Sequence, residues 1–448
     1  MIKRAVFIGL LLGVGNLNSA YAAGFALIEQ SASGFGNAYA GMAARGDDAS
    51  TQFFNPANLS LLPVGRQMVL GLSLVKPSAK LDDARASQQG TPIPGNGGGD
   101  AGVLAMVPNF YYADDLGNKL KFGLGVTVPY GLSSEYNKGW VGRYHALDSE
   151  LMTLNINPAI SWQATETLAL GGGINLQYVK ARLSNAIDSS ALCMRSPLAG
   201  ACPGAGLGQI GNAAADSYVK LEGDDLSWGF NLGLVYKPTE GTTLGAAYRS
   251  HIKHELKGEA DFRRSPQLNQ LPQLAGRLTD GDITAGLSLP ETVSLSLAQR
   301  VTDKLELLAD VTWTNWSRFK ELRVKFDNVG QADNVTTTSW NDSYRYSLGG
   351  NYRYSNDVTL RLGVALDQSA VPDAQHRTPR IPDADRVWFA AGASWKLDAY
   401  NTIDFGYAYL RMKDAKINHS TEGQVNHQLQ GEFSPKVDII SVQWVRAL

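Results

Sequence analysis

The stretch that decides the fold is Glu291–Trp316, ETVSLSLAQRVTDKLELLADVTWTNW. Val293-Ser294-Leu295-Ser296-Leu297 alternates apolar and hydroxyl side chains, the two-residue period of a strand with one greasy face and one polar face. Thr302-Asp303-Lys304 is a short polar break of turn-forming type, and a second run follows from Leu305. The pattern recurs: Leu154-Asn155-Ile156-Asn157 repeats it, and so does Val437–Val445. Strands are expected near 68–76, 103–113, 120–128, 152–162, 168–180, 225–236, 243–256, 291–301, 305–316, 343–354, 358–367, 387–397, 401–412 and 437–447.

The connections say where such strands belong. Short turns at Asp114–Lys119, Gln163–Thr167, Lys237–Thr242, Thr302–Lys304, Ser355–Asp357 and Asp398–Tyr400 alternate with long connections at 77–102, 181–224, 257–290, 317–342 and 413–436. An outer-membrane barrel has short periplasmic turns and long external loops, and so produces this alternation, which a soluble sandwich has no reason to show. The expected fold is all-β: a 14-stranded antiparallel transmembrane β-barrel with an N-terminal hatch in its lumen. Trp162, Tyr236, Tyr352, Tyr354, Trp395 and Trp444 are expected in a periplasmic aromatic girdle. Trp228, Trp313, Trp316, Tyr344 and Trp388 are expected in an external one.

Composition agrees. Among 448 residues, 44% are hydrophobic and only 18% charged, and 47 are glycine. The mean hydropathy of −0.17 excludes a helical membrane bundle. A net charge of −2 makes no electrostatic case for nucleic acid. Lys3-Arg4, the apolar run Ala5–Val14 and Ala20-Tyr21-Ala22 read as a cleaved signal peptide. The expected division is 1–22 signal peptide, 23–67 hatch and 68–448 barrel. Cys193 and Cys202 lie in a Gly-, Ala- and Pro-rich connection of an exported chain, and a loop disulfide is expected. A metal would want further ligands near them, and no histidine lies close by in sequence. His251 and His254, three apart on a strand, point to opposite faces and make a poor metal pair. No G-x-S-x-G, H-E-x-x-H or P-loop pattern occurs. The chain is expected to be no enzyme, with no metal and no cofactor.

The segment Gly24–Leu59 reads GFALIEQSASGFGNAYAGMAARGDDASTQFFNPANL. With its Gly24-Phe25 start, its Ser31–Gly41 core, Asp47-Asp48-Ala49 and Asn55-Pro56-Ala57, it resembles the hatch of the FadL family of outer-membrane long-chain fatty acid transporters. VPNFYY (107–112), PYGLSSEYN (129–137), TWTNWSRFKEL (312–322) and DQSAVPDAQHRTPRIPDADRVWF (367–389) extend the resemblance over the mature chain. It implies a monomeric, passive uptake channel in the outer membrane, in contact with its lipid. The implied partners are long-chain fatty acids or other hydrophobic small molecules.

The resemblance also implies roles. Capture falls to an external apolar groove between the connections 181–224 and 257–290, with Leu268, Leu271 and Leu274 on one face of a short helix. An internal pocket falls to Phe25, Leu183, Asn185 and Thr336, and a hatch gate to Asn55, Pro56 and Ala57. A lateral opening falls to Pro129, Tyr130 and Gly131, because proline cannot donate to a ladder in which every strand has two neighbours. Where the family has cationic head-group contacts, the matching positions are the neutral Asn185 and Thr336. Arg182, Lys180 or Lys325 could compensate, and a neutral monoaromatic substrate is the first alternative. A surface adhesin or receptor is the second. Outer-membrane barrels commonly end in an aromatic residue; here Leu448 is expected to serve as the terminal apolar residue.

Overall fold

The computed structural model describes residues 24–328, 331–423 and 425–448, so the signal-peptide expectation lies outside the described residues. The chain forms a closed 14-stranded antiparallel barrel. Its strands are β1 (Arg66–Gln88), β2 (Ala105–Gly117), β3 (Leu120–Thr127, then Gly131–Glu135), β4 (Asp148–Gln163), β5 (Leu168–Ile187) and β6 (Ser217–Thr239). Then come β7 (Thr242–Arg249, Ile252–Arg263), β8 (Gly281–Leu289, Thr292–Arg300), β9 (Leu305–Thr314, Glu321–Phe326) and β10 (Ser343–Arg353). The last are β11 (Val358–Asp367), β12 (Arg386–Lys396), β13 (Asn401–Met412, Ala415–Ser420) and β14 (His427–Ala447). β1 and β14 pair from Gln67↔Ala447 to Gln88↔His427 and close the wall.

Several strands run well past the expected ends. β1 and β6 each have 23 residues, where about 9–11 cross a bilayer. The expected connections 77–102, 181–224 and 413–436 therefore contain strand. The alternation continues there in polar side chains, so the wall stands above the membrane on its external side.

Outward positions carry the apolar band, with Leu295, Leu307, Leu348 and Leu362 all exposed. Trp162, Tyr236, Tyr352, Tyr354 and Trp395 are exposed near the short turns, and Trp228 and Tyr344 near the external ends. Trp316 and Trp388 do not belong to the external girdle. Both are fully buried in the lumen. Trp388 falls on the inward phase of β12 and packs against Phe35. Trp316 turns inward because β9 is broken between Thr314 and Glu321.

The hatch is a chain of short turns. The helix Ala32–Phe35 is capped by Ser31, the 3₁₀ turn Ala49–Phe53 by Asp48, and the 3₁₀ turn Pro56–Leu61 by Asn55. Each cap oxygen accepts a backbone N–H that would otherwise be orphaned. Asp48 also accepts from Ser33 Oγ at 2.6 Å and from Gln443 Nε2 at 2.8 Å, joining hatch to β14. Glycines let the hatch backbone lie directly on the wall. A Cβ on Gly245 would stand 1.9 Å from the Ala43 carbonyl oxygen, and one on Gly363 2.1 Å from the Asn37 carbonyl carbon.

Candidate functional site

The lateral feature is built by an incomplete ladder. β2 and β3 pair only as far as Phe110↔Val126, although β2 continues to Ala105 and β3 resumes at Gly131. Contact returns only above, at the Gly102↔Ser134 bridge and the Glu135 N–H bond to the Ala101 carbonyl. Between these points the wall has a gap. Pro129 lies in the break in β3, as its missing N–H requires. On the other side Thr153 of β4 substitutes for the ladder: its hydroxyl accepts from Tyr130 N–H at 3.0 Å and donates to Tyr130 O at 2.8 Å.

The start of the hatch covers the exposed edge of β3. Leu27 N–H donates to Pro129 O at 2.9 Å, Gly131 N–H donates to Phe25 O at 3.0 Å, and Ala26 bridges Tyr130. Gln30 adds a side-chain clasp, donating through Nε2 to Val128 O at 2.7 Å and accepting Val128 N–H at 3.3 Å. Phe25 sits among aromatic rings, with centroids 4.9 Å from Trp316, 5.8 Å from Phe319 and 6.1 Å from Tyr130. The Gly24 N–H is held by the Asp383 carboxylate at 3.0 Å.

Three cavities meet here. The large one, about 630 Å³, is bordered inside by Phe25, Phe54 and Pro56 and outside by Leu104, Met106 and Met152. Those last three are solvent- or lipid-exposed, so this cavity reaches the outer face of the wall at the gap. A smaller cavity of about 90 Å³ is almost wholly apolar, with Leu183, Leu256, Leu287 and Phe319 in its lining. Phe25, Leu132 and Leu151 belong to the linings of both. The third, about 200 Å³, lies under the external loops and holds Asn185 and Thr336 together with Leu183.

Asn55-Pro56-Ala57 lies at the base of this arrangement. Asn55 caps its own turn and donates to Ala43 O at 2.6 Å and to Leu234 O of β6 at 3.0 Å, pinning the hatch to the wall. Pro56 borders the large cavity.

Cys193 and Cys202 form a disulfide in the external connection after β5. It anchors a small apolar core with Leu207, Leu268 and Leu274. Leu268 and Leu274 are buried there, and Leu271 packs against them. They do not share one helix: a 3₁₀ turn, Leu268–Gln270, precedes a separate helix, Pro272–Ala275. Pro272 at the first turn of the second helix, lacking an N–H, divides the two.

The cations named from sequence do not enter the cavities. Lys180 pairs with Glu222 at 2.6 Å and Arg182 with Glu150 at 2.5 Å, all on the outward phase of their strands. A different residue does. Arg380 lines the external cavity beside Asn185, whose Oδ1 it reaches at 3.3 Å. Burial pushes its guanidinium down to about 10. The only sequence signal was a basic residue set between two prolines, Pro379-Arg380-Ile381-Pro382. In the same cavity His145 and His419 face each other, Nδ1 to Nδ1 at 3.0 Å. Burial pushes His419 down to about 4 and His145 well below the ordinary histidine range, with His419 adding to the effect on His145. His254 sits inside the wall, between Asp225 at 2.9 Å and Gln177 at 3.2 Å. Among the described residues no group of His, Cys, Asp and Glu is arranged to hold a metal ion.

Comparison with known proteins agrees with this architecture. Residues 16–447 match a sequence model of the outer membrane protein transport family, OMPP1/FadL/TodX. Outer membrane protein P1 of Haemophilus influenzae is 32% identical, covering 90% of this chain and 88% of its own length. The long-chain fatty acid transport protein of Escherichia coli K12 is 29% identical, covering 92% of each chain. The crystal structure of a Pseudomonas aeruginosa FadL homologue superposes with a TM-score of 0.86 at 26% identity, over 95% of this chain and 100% of that one.

Proposed function

Because this chain belongs to the OMPP1/FadL/TodX family, and so is an outer-membrane β-barrel that transports hydrophobic compounds and not an enzyme, we propose that it takes up long-chain fatty acids. We further propose that it releases them sideways through the gap between β2 and β3. One observation carries this: a cavity of ligand size runs from Phe25 and the hatch to the lipid-exposed Met106. A tail gains about 0.8 kcal/mol for each CH₂ it buries, so an apolar cavity both attracts a fatty acid and retains it. Release then needs a change of shape.

In the proposed path, the external loops capture ligand from outside through the part-exposed Leu271 and Leu198, which border the buried core of Leu268 and Leu274. The tail enters the apolar cavity beside Leu183 and meets Phe25. Movement of the hatch gate, Asn55-Pro56-Ala57, lets Phe25–Gln30 withdraw from β3, which merges the two inner cavities and uncovers the gap. The barrel acts as a monomer and passively, and ligand passes into the outer leaflet without crossing the hatch. The neutral Asn185 and Thr336 favour a second reading, in which the ligand is a monoaromatic hydrocarbon.

The test is uptake of radiolabelled oleate and of toluene by cells lacking their own transporter. A variant carrying Ala26→Cys and Tyr130→Cys can be locked by oxidation and released by reduction. Oleate uptake that stops on oxidation and returns on reduction is expected. Toluene uptake without oleate transfers the assignment to the second reading. Uptake that persists in the locked variant removes the proposed exit.

A further inference from the structure

Arg380 is the one residue common to the linings of all three cavities. It belongs to the external connection between β11 and β12, and its bonds go to neutral acceptors. Nη1 donates to Asp148 O at 3.1 Å and to Ser149 Oγ at 3.0 Å; Nη2 donates to Ser184 O at 3.2 Å and to Asn185 Oδ1 at 3.3 Å. Among the described residues its Nε–H has no partner, and no carboxylate lies within ion-pair distance. The acid that acts on it, Asp148, already accepts a 2.7 Å bond from Ser184 Oγ. Of the other arginines of the large cavity, Arg386 pairs with Asp367 at 2.9 Å and Arg249 is held by Asn175 and the Phe53 carbonyl. Arg345 donates to the Ala38 carbonyl of the hatch and lies over the Trp388 ring; its Nε and Nη1 have no partner among the described residues, but it borders neither the apolar cavity nor the external one.

A guanidinium enclosed by protein, uncompensated and with a donor to spare is suited to an anion, which it binds by charge-assisted hydrogen bonds. The walls next to it are apolar, with Leu183, Leu221 and Ile381 in the adjoining cavity. On its other side lie the polar Asn185, Thr336 and Thr421 of the external cavity. The ligand that satisfies both halves is an amphiphile with a carboxylate head and a long tail.

We propose that Arg380 anchors the carboxylate of a fatty acid and serves as its pivot. Asn185 yields its 3.3 Å bond to the incoming carboxylate. The tail first occupies the apolar cavity, and swings past Phe25 into the large cavity while the head stays on Arg380. The charge absent from Asn185 and Thr336 is thus supplied from another loop. This rests on the fatty-acid reading above and adds the residue that selects an acid over a neutral compound.

The readout is charge discrimination by the full chain in detergent micelles, measured as the affinity ratio of oleate to oleyl alcohol in displacement of a fluorescent fatty acid. The wild-type ratio is expected to be about tenfold or more, the worth of a hydrogen-bonded charge. It should fall close to one in Arg380→Gln and be partly kept in Arg380→Lys. Arg380→Gln also removes bonds that hold its loop to β4 and β5, so Asn185→Asp is the second variant. It leaves those bonds in place and sets a protein carboxylate against the guanidinium. Loss of the ratio in Asn185→Asp supports the anchor. A wild-type ratio near one, or a ratio that survives in Asn185→Asp, overturns it. Oleate uptake by cells separates the two ideas: uptake with no charge discrimination leaves the transport reading standing without the anchor. Discrimination without uptake leaves the anchor without the transport reading.

Discussion

Replacing Gln30 with leucine tests whether the start of the hatch is the moving part. Leucine fills a similar volume and makes none of the amide's bonds. Three are lost: Nε2 to Val128 O at 2.7 Å, Nε2 to Leu27 O at 3.2 Å, and the 3.3 Å bond accepted from Val128 N–H. The two backbone bonds between Phe25–Leu27 and Pro129–Gly131 remain. A buried backbone group left without its partner costs about 1–3 kcal/mol. Taking about 2 kcal/mol for the Val128 peptide, the open state becomes roughly thirtyfold more populated. Hydrogen exchange measured by mass spectrometry reads this directly, on peptides containing Leu27 and Val128. Their protection should fall by that factor, while protection of the β1–β14 seam stays as it was. The initial rate of oleate uptake should rise. Protection at Leu27 unchanged within about threefold would refute the idea that this clasp holds the hatch against β3.

Two further outcomes follow from other parts of the molecule. Gly245→Ala or Gly363→Ala puts a Cβ some 2 Å from hatch backbone where about 3.5 Å is needed, an overpacking cost of about 1–3 kcal/mol. The hatch should loosen, read as increased sensitivity of cells to vancomycin with the barrel still inserted; unchanged sensitivity argues against a tight hatch–wall contact. Acid should loosen the external loops. His145 and His419 have folded values below their ordinary one, so their contribution is complete above about pH 6.5 and is lost as pH falls toward 4. For His419 alone that is on the order of 3 kcal/mol. Protease cleavage of the loops should increase across this window and depend less on pH in a His145→Phe/His419→Phe variant; an identical pH profile in that variant removes these residues as the cause.

The wall was legible because its signal is local. Val293–Leu297 alternates whatever surrounds it, and the short polar turns separate one hairpin from the next. The upper wall was less legible, since beyond Val75 in β1 and beyond Val179 in β5 the pattern inverts: Lys76, Lys80, Lys180 and Arg182 point outward, while Ala79, Leu81, Ala181 and Leu183 point inward, so the greasy outward band that marks a membrane strand ends there. The site was legible only where a residue's own backbone chemistry decides its place. Pro129 must interrupt pairing, and Asn55 before Pro56 is a ready cap. Arg380 had no such mark, because its role comes from lying beside Asn185, 195 positions away in the chain. The pairing of Ala26 with Tyr130 was hidden for the same reason. Trp316 was misplaced because strand phase was carried across a break that alternation does not announce.

The hatch also imposes an order on assembly. Its residues are among the first made, yet some of their partners are among the last: Gly24 bonds to Asp383, and Ala32 N–H to Gln443 Oε1 at 2.8 Å, 411 positions on. Loops of that length close slowly, and their contacts reward the chain only once β14 is in place. The hatch therefore sets late, after the barrel has closed around it. A barrel missing its final strand has no Gln443 to offer Asp48 and Ala32. A seated plug is thus a mark of a completed wall, and an unfinished barrel stays permeable where a cell's quality control can meet it.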